Sequence, residues 1–357
     1  MSSEVDLGLL SECESWLLSS KYFPSKVGGK PAWLSLKDLP SSESLQCDLC
    51  KEPTVFLCQV YAPIEDKDEC FHRTIFTFIC TNGLCCKPNS AGNLKVFRSQ
   101  LPRYNDFYSP DPPEEIEGED STLSSIPLLC FVCGSSGRFQ CGGCHIFRYC
   151  SKSHQIIHWK KGHKALCKSF KEKSINTPDL HSDDLLTGIL LREWGLDIEE
   201  EPKVKSSSAN ETEDLQRRLN EFKHLEESNA IGTMPNIPET ELENYSNSED
   251  KAFRKFSKRV SLNSEQVLRF QRDGQPLWIS EHNILEKNNV PPCEYCKGPR
   301  IFEFQIMPQL LNSINVASSA SSIDWGVLCV YTCKNSCDDG VAYKQEFIYK
   351  QDIQITQ

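Results

Sequence analysis

The sequence predicts an α+β, mainly β chain whose N- and C-terminal halves form a duplicated β-rich body, with a small cysteine- and histidine-rich module inserted between them. Two blocks near opposite ends carry the prediction. The first reads Cys47-Asp-Leu-Cys50-Lys-Glu-Pro53-Thr-Val-Phe-Leu-Cys-Gln59, and the second reads Cys293-Glu-Tyr-Cys296-Lys-Gly-Pro299-Arg-Ile-Phe-Glu-Phe-Gln305, with cysteine pair, lysine, proline, phenylalanine and glutamine at matched spacing. Each block continues to a second apolar run that ends in cysteines: Thr74 to Cys80 with Cys85, and Val327 to Cys333 with Cys337. These runs are β-branched and aromatic and are bounded by Pro, Asn and Gly, which argues strands. In the second copy Phe302, Phe304 and Ile306 alternate with Glu303 and Gln305, the period of a half-buried strand.

In chain order, residues 1–110 form the first half of the body. Residues 111–129 begin Asp111-Pro-Pro-Glu-Glu-Ile-Glu-Gly-Glu-Asp120, whose prolines and like charges read as an acidic linker. The module spans 130–167. Residues 168–250 read as a second acidic, largely flexible linker with one amphipathic helix, since Leu215, Leu219, Phe222 and Leu225 share a helical face. That helix suits docking on a neighbouring domain or on a partner. Residues 251–357 form the second half, where Phe253, Phe256 and Val260, then Ser264-Glu265 leading to Val267, Leu268 and Phe270, suggest two short helices.

The 357 residues carry 39 basic and 50 acidic side chains, a net charge of −11. From Gly195 to Asp250 there are 15 acidic against 5 basic residues, whereas Cys130 to Lys173 has 9 basic and 1 acidic. An acidic segment therefore sits beside a basic module. A general affinity for nucleic acid is disfavoured and a basic protein partner is favoured. No apolar run approaches the roughly 20 residues of a membrane span, and the first residues lack a signal-peptide pattern, so a soluble intracellular protein is expected. In a reducing compartment the 19 cysteines are read as metal ligands before disulfides.

The module carries Cys130, Cys133, Cys141, Cys144, Cys150, His154, His163 and Cys167 within 38 residues, enough for two tetrahedral zinc sites. So short a segment cannot bury enough apolar surface to fold alone, so metal would supply much of its folding free energy. Disulfides or free thiols are the alternative. Through Tyr149-Cys150-Ser151-Lys152 and His158-Trp159-x3-His163-Lys164-x2-Cys167 the module resembles the MYND zinc finger. That resemblance implies interleaved sites: Cys130, Cys133, Cys150 and His154 on one zinc, and Cys141, Cys144, His163 and Cys167 on the other. His154 stands where that family usually has cysteine, His158 lies close enough to compete with it, and His145 reads as a surface residue.

The outer blocks suggest one further zinc in each half of the body. Cys47, Cys50, Cys80 and Cys85 would form one site, with Cys86 an alternative to Cys85, and Cys293, Cys296, Cys333 and Cys337 the other. The gaps between pairs are long for paired knuckles but workable if the strands are antiparallel neighbours. Thiols lining a core are the alternative. Cys13, Cys58, Cys70 and Cys329 have no partner spacing. Phosphate loops, dinucleotide fingerprints, nucleophile elbows and zinc-protease motifs are missing, and four-ligand zinc leaves no position for substrate, so an enzyme is not expected.

The whole chain is similar to the programmed cell death protein 2 family. The resemblance rests on Phe23 to Leu34, Gln59 to Pro63, Phe71 to Arg73, Leu101 to Arg103, Asn105 to Tyr108, the finger, Phe304 to Asn312 and Ser322 to Gly326. It implies a dedicated chaperone for a basic small-subunit ribosomal protein, number five in universal and two in eukaryotic naming, supporting small ribosomal subunit biogenesis in cytoplasm and nucleus. The segments around Trp33 and Trp325 are candidates for the client surface or for core packing. The family picture also offers the finger as an adaptor for proline-rich nuclear regulators in corepressor complexes. Direct RNA binding is disfavoured because no stacking aromatics interleave the finger's lysines.

Overall fold

The computed structural model describes residues 4–117, 128–172, 189–202, 251–314 and 323–353. Among them the strands are β1 (Asp6–Ser11), β2 (Lys26–Val27), β3 (Val55–Tyr61), β4 (His72–Ile79), β5 (Leu94–Leu101), β6 (Phe139–Gln140), β7 (Arg148–Tyr149), β8 (Trp194–Glu200), β9 (Leu268–Phe270), β10 (Arg300–Ile306), β11 (Val327–Cys333), β12 (Tyr343–Gln345) and β13 (Phe347–Gln351). Strands β6 and β7 are a ribbon inside the finger, and the other eleven form one antiparallel sheet in the order β12-β5-β4-β3-β2-β8-β1-β9-β10-β11-β13. Strands β12 and β13 pair with opposite edges of that sheet, yet only Glu346 separates them in the chain, so the sheet curls into a nearly closed body. Closure leaves little free edge.

The strand order makes the duplication visible. Strands β2-β3-β4-β5 and β9-β10-β11-β13 flank a central β8-β1 ribbon. Both copies have a register shift at the same place, between Phe56 and Cys58 and between Phe302 and Phe304. The extra residue changes which face the next side chain meets. Phe56 and Phe302 therefore join separate outer clusters, while Cys58, Val60, Phe304 and Ile306 enter the shared central core. The matched glutamines Gln59 and Gln305 are buried, and each pins an incoming chain: Gln59 accepts from Ala32 N at 2.9 Å, and Gln305 accepts from Leu277 N at 2.6 Å. Those pinned residues lie in Gly29-Lys-Pro-Ala-Trp33 and Gly274-Gln-Pro-Leu-Trp278, a repeat pair not read above.

Several expectations are corrected. Residues 168–250 are not simply linker, because β8 runs through the middle of the sheet, paired with β1 from Asp6↔Glu200 to Ser11↔Gly195 and with β2. The amphipathic helix around Leu215–Leu225 lies outside the described residues. Helix α3 (Lys251–Val260) forms as expected, burying Phe256 and Val260. The second expected helix is instead β9, held by β1 and β10 on either side. Strand β10 is buried on both faces, not half-buried. Its Glu303 accepts a bidentate pair from Arg73 at 2.8 and 2.9 Å and is also bonded by Arg272 and Thr332. Glu346 likewise sits between Arg98 at 2.8 Å and Arg300 at 2.9 Å. Two buried carboxylates thus tie strands of the two halves together. No helix of the described residues is long and apolar enough to cross a membrane.

Candidate metal centres

All four Cys-x-x-Cys segments adopt one local structure. The residue after the second cysteine is left-handed: Lys51 (φ 60°), Gly134 (φ 71°), His145 (φ 58°) and Lys297 (φ 59°). Its N–H returns to the carbonyl of the first cysteine at 3.0, 2.9, 3.0 and 3.0 Å respectively. Only glycine adopts this backbone freely, so three non-glycine residues held in it mark turns stabilised from elsewhere. The turn points both thiols of a pair at one spot.

Each knuckle meets a second pair of ligands. The clusters are Cys47, Cys50, Cys80, Cys85; Cys130, Cys133, Cys150, His154; Cys141, Cys144, His163, Cys167; and Cys293, Cys296, Cys333, Cys337, with ligand atoms within 4.8 Å of one another. In the body, the knuckle precedes β3 or β10, and Cys80 or Cys333 stands at the end of the antiparallel neighbour β4 or β11. Cys86 is elsewhere, bonded to Asp324 at 2.9 Å and to Lys350 at 3.3 Å, which removes it as the alternative to Cys85.

The distances discriminate between chemistries. Sulfur pairs stand at 3.7 Å (Cys50, Cys80), 3.6 Å (Cys133, Cys150), 3.8 Å (Cys141, Cys167), 3.7 Å (Cys293, Cys337) and 3.5 Å (Cys296, Cys333). A disulfide requires about 2.05 Å. Four sulfurs at about 2.3 Å from a tetrahedral zinc stand about 3.8 Å apart. The histidines fit equally: His154 Nδ1 lies 3.2 Å from Cys150 Sγ and 3.6 Å from Cys130 Sγ, and His163 Nε2 lies 3.3 Å from Cys141 Sγ. Burial opposes charge on His154, yet its bonds to the two sulfurs outweigh that and hold its pKa at about 9. The same sulfurs would attract a zinc dication, and His154 would have to give up its proton to bind one. The clusters are compatible with zinc by donor type, number and spacing.

Short elements place the finger's ligands. Ser151 caps helix α1 (Lys152–His158) by accepting from His154 N at 3.1 Å, which sets the first turn beside Cys150. A wide turn over Trp159–His163, broken at Gly162 (φ 142°), then aims His163 inward before α2 (Lys164–Glu172) delivers Cys167. His158 is not a ligand. Its Nδ1 shares a hydrogen bond with Tyr149 OH at 2.8 Å and its ring stacks on Phe131 and His163, so it supports the site from behind. His145 is exposed, as expected. Burial pushes the Cys58 thiol up to about 12 and raises Cys70 and Cys329, which keeps these three protonated and inert.

The finger is seated on the N-terminal half. Trp33 Nε1 donates to Gly134 O at 2.7 Å, the Lys30 ammonium lies 5.1 Å over the Phe131 ring, and Arg138 pairs with Glu43. After the finger, the chain passes over Gly28 and Gly29, where Gly29 N donates to Leu191 O at 2.9 Å and a Cβ on Gly28 would collide with Arg192 O. Trp33 and Trp325 are 3% and 1% exposed, so both are packing residues and neither offers a client surface.

A family model for the programmed cell death protein 2 N-terminal domain matches residues 4–115, one for its C-terminal putative domain matches 250–352, and a MYND finger model matches 130–167. Programmed cell death protein 2 of Bos taurus is 42% identical across 98% of this chain and 96% of its own length, and that of Rattus norvegicus is 41% identical with the same coverage. The chain belongs to the programmed cell death protein 2 family. A more distant relative, the probable 20S rRNA accumulation protein 4 of Schizosaccharomyces pombe, is 25% identical across 90% of this chain and 91% of its own length. No solved structure matches the chain. The two family domains correspond to the two copies of the body, and the fold adds what their separate matches do not: β8, between them in sequence, joins them in one sheet. Arg73, Glu303, Arg98 and Glu346 also escaped the sequence reading, because an ion pair between distant strands leaves no local spacing signal.

Proposed function

We propose that this chain is a dedicated chaperone for the small-subunit ribosomal protein numbered five in universal and two in eukaryotic naming, supporting small ribosomal subunit biogenesis in cytoplasm and nucleus. The observation that carries the reading is full-length similarity to a relative named for 20S rRNA accumulation. The body supplies a fitting surface: Asp197, Glu199 and Glu200 are exposed at the end of the β8-β1 ribbon, with Asp6 opposite Glu200. Burial, and after it the neighbouring Glu200 and Glu4, push the Asp6 carboxyl above its ordinary range. Such a ridge attracts and screens a basic client before RNA does. The four clusters each hold one zinc in this reading. Closed four-ligand sites stabilise structure and leave no open position for catalysis.

The test is co-purification from cells with the full chain carrying Asp197→Asn, Glu199→Gln and Glu200→Gln. The expected result is loss of the ribosomal client with unchanged zinc content. Undiminished capture would remove the ridge from the account, and failure of the unaltered chain to capture the client would remove the chaperone reading. A second reading, an adaptor for proline-rich nuclear regulators, is favoured by the apolar side chains Phe139, Ile156, Trp159 and Leu166 exposed on the finger. Trp159→Ala should then release regulators while the client stays bound.

A further inference from the structure

The duplicated body treats its two equivalent turns differently. In the N-terminal half, Gly29-Lys30-Pro31 is covered by the finger's Gly134 and by Leu191–Glu193, and the aromatic cluster beneath is roofed by Trp33, whose ring lies 5.2 Å from Phe76 and 5.8 Å from Phe78. Among the described residues the matching turn of the C-terminal half is more open, with Gln275 exposed and Gly274 and Pro276 half-buried. Trp278 leans on Tyr349 at 6.0 Å instead, and a shallow, open cleft lies over Phe302 and Tyr331, the counterparts of Phe56 and Phe78. Pro276, Leu285 and Val290 wall it, and the exposed Gln275 and Lys287 stand at its rim.

The cleft continues the acidic ridge. Asp6 is in register with Glu200 on one side and with Phe270 on the other, and three residues beyond Phe270 the exposed Asp273, paired with Lys334 at 3.6 Å, lines the cleft together with Arg300 and Lys287. The chain turns here, with Asp273 at φ 58°, so these three residues span less than the about 10 Å of an extended segment. We propose that an extended, basic segment of the client docks here, its cationic side chains along Asp197, Glu199, Glu200 and Asp273 and one bulky apolar side chain in the cleft, where the N-terminal half has Trp33. The charge of the ridge selects a basic occupant, and the aromatic floor selects the anchor. This rests on the chaperone reading for the source of the segment. In the N-terminal half the equivalent turn packs against the chain's own finger, through Trp33 Nε1 to Gly134 O.

The experiment uses the full chain co-expressed with the ribosomal client. A photo-crosslinking p-benzoylphenylalanine replaces Gln275, Lys287 or, as control, the exposed finger residue Phe139. Crosslinks from 275 and 287 to one client segment with a bulky apolar residue beside Lys or Arg, and none from 139, are expected. Val290→Trp, which fills the cleft from its wall, should lower client capture at least about tenfold with zinc content unchanged. Client capture without crosslinks from 275 and 287 overturns the docking site and leaves the chaperone reading intact. Absence of the client from the unaltered complex overturns both. If Val290→Trp does not fold, the crosslinks decide alone.

Discussion

The N- and C-terminal halves of the body share a knuckle, a bulge, a buried glutamine and a Gly-x-Pro-x-Trp turn, and differ in what covers that turn. The first half has an aromatic cluster of Phe56, Phe76, Phe78 and Phe97 closed by Trp33 and the finger. The second has Phe302, Cys329, Tyr331 and Tyr349 at the same sheet positions and is left partly open. One of the two equivalent turns is committed to an internal module, and the other carries the docking site proposed above.

The comparison breaks most completely where the halves are joined. Glu303→Ala strands Arg73 in a fully buried setting, and removing one partner of such a pair costs about 3–5 kcal/mol. Urea unfolding should show one transition displaced as a whole, because the carboxylate links both copies. The same pair sets an acid limit. The Arg73 and Arg272 guanidiniums outweigh burial and hold the Glu303 carboxyl at about 2, below its ordinary 4.5. The folded state thus binds fewer protons than the unfolded state in this interval, so its contribution is full above pH 4.5 and is lost as pH falls towards 2. Glu303→Gln should flatten that part of the stability profile.

Next come the turns. Gly29 has φ +65° and the Glu193 side chain against its missing Cβ, so Gly29→Ala should destabilise by about 1–2 kcal/mol in thermal unfolding. Gly274 has no positive φ and the atoms nearest its missing Cβ belong to the Gln271 side chain, so Gly274→Ala should cost less than about 1 kcal/mol. The smallest effect separates the tryptophans. Trp33→Phe leaves the buried Gly134 carbonyl without its donor and should cost about 1–2 kcal/mol, with faster amide exchange in the finger. Trp278→Phe, in a half-buried ring with no finger above it, should change stability by less than about 0.5 kcal/mol.

Much of this organisation was legible in sequence because it is written in local spacing. The cysteine pairs, the β-branched runs and the matched glutamines identified the duplicated unit and all four groups of metal-ligand candidates. What was not legible depends on partners distant in the chain. Trp194, Leu196 and Ile198 alternate as a strand should, but the acids around them read as linker until β1 supplies the pairing. Val267, Leu268 and Phe270 fit a short helix or a strand, and neighbours on both sides decide for the strand. Glu303 looked solvent-facing because a bulge cannot be seen in an alternating pattern, and its two arginine partners come from other elements.

The clusters of the two halves also differ in access. Cys47, Cys80 and Cys85 are buried around a half-buried Cys50, whereas Cys296 is exposed and Cys337 half-buried. A chelator should therefore strip the C-terminal cluster first. The most direct test of the account is the zinc content of the purified full chain by elemental analysis, before and after mild chelation. The account predicts four zinc ions per chain, falling to three as the C-terminal cluster empties, with Cys293→Ser fixed at three from the start. Two per chain would contradict it, leaving metal in the finger alone and the knuckles of the duplicated body as bare thiols.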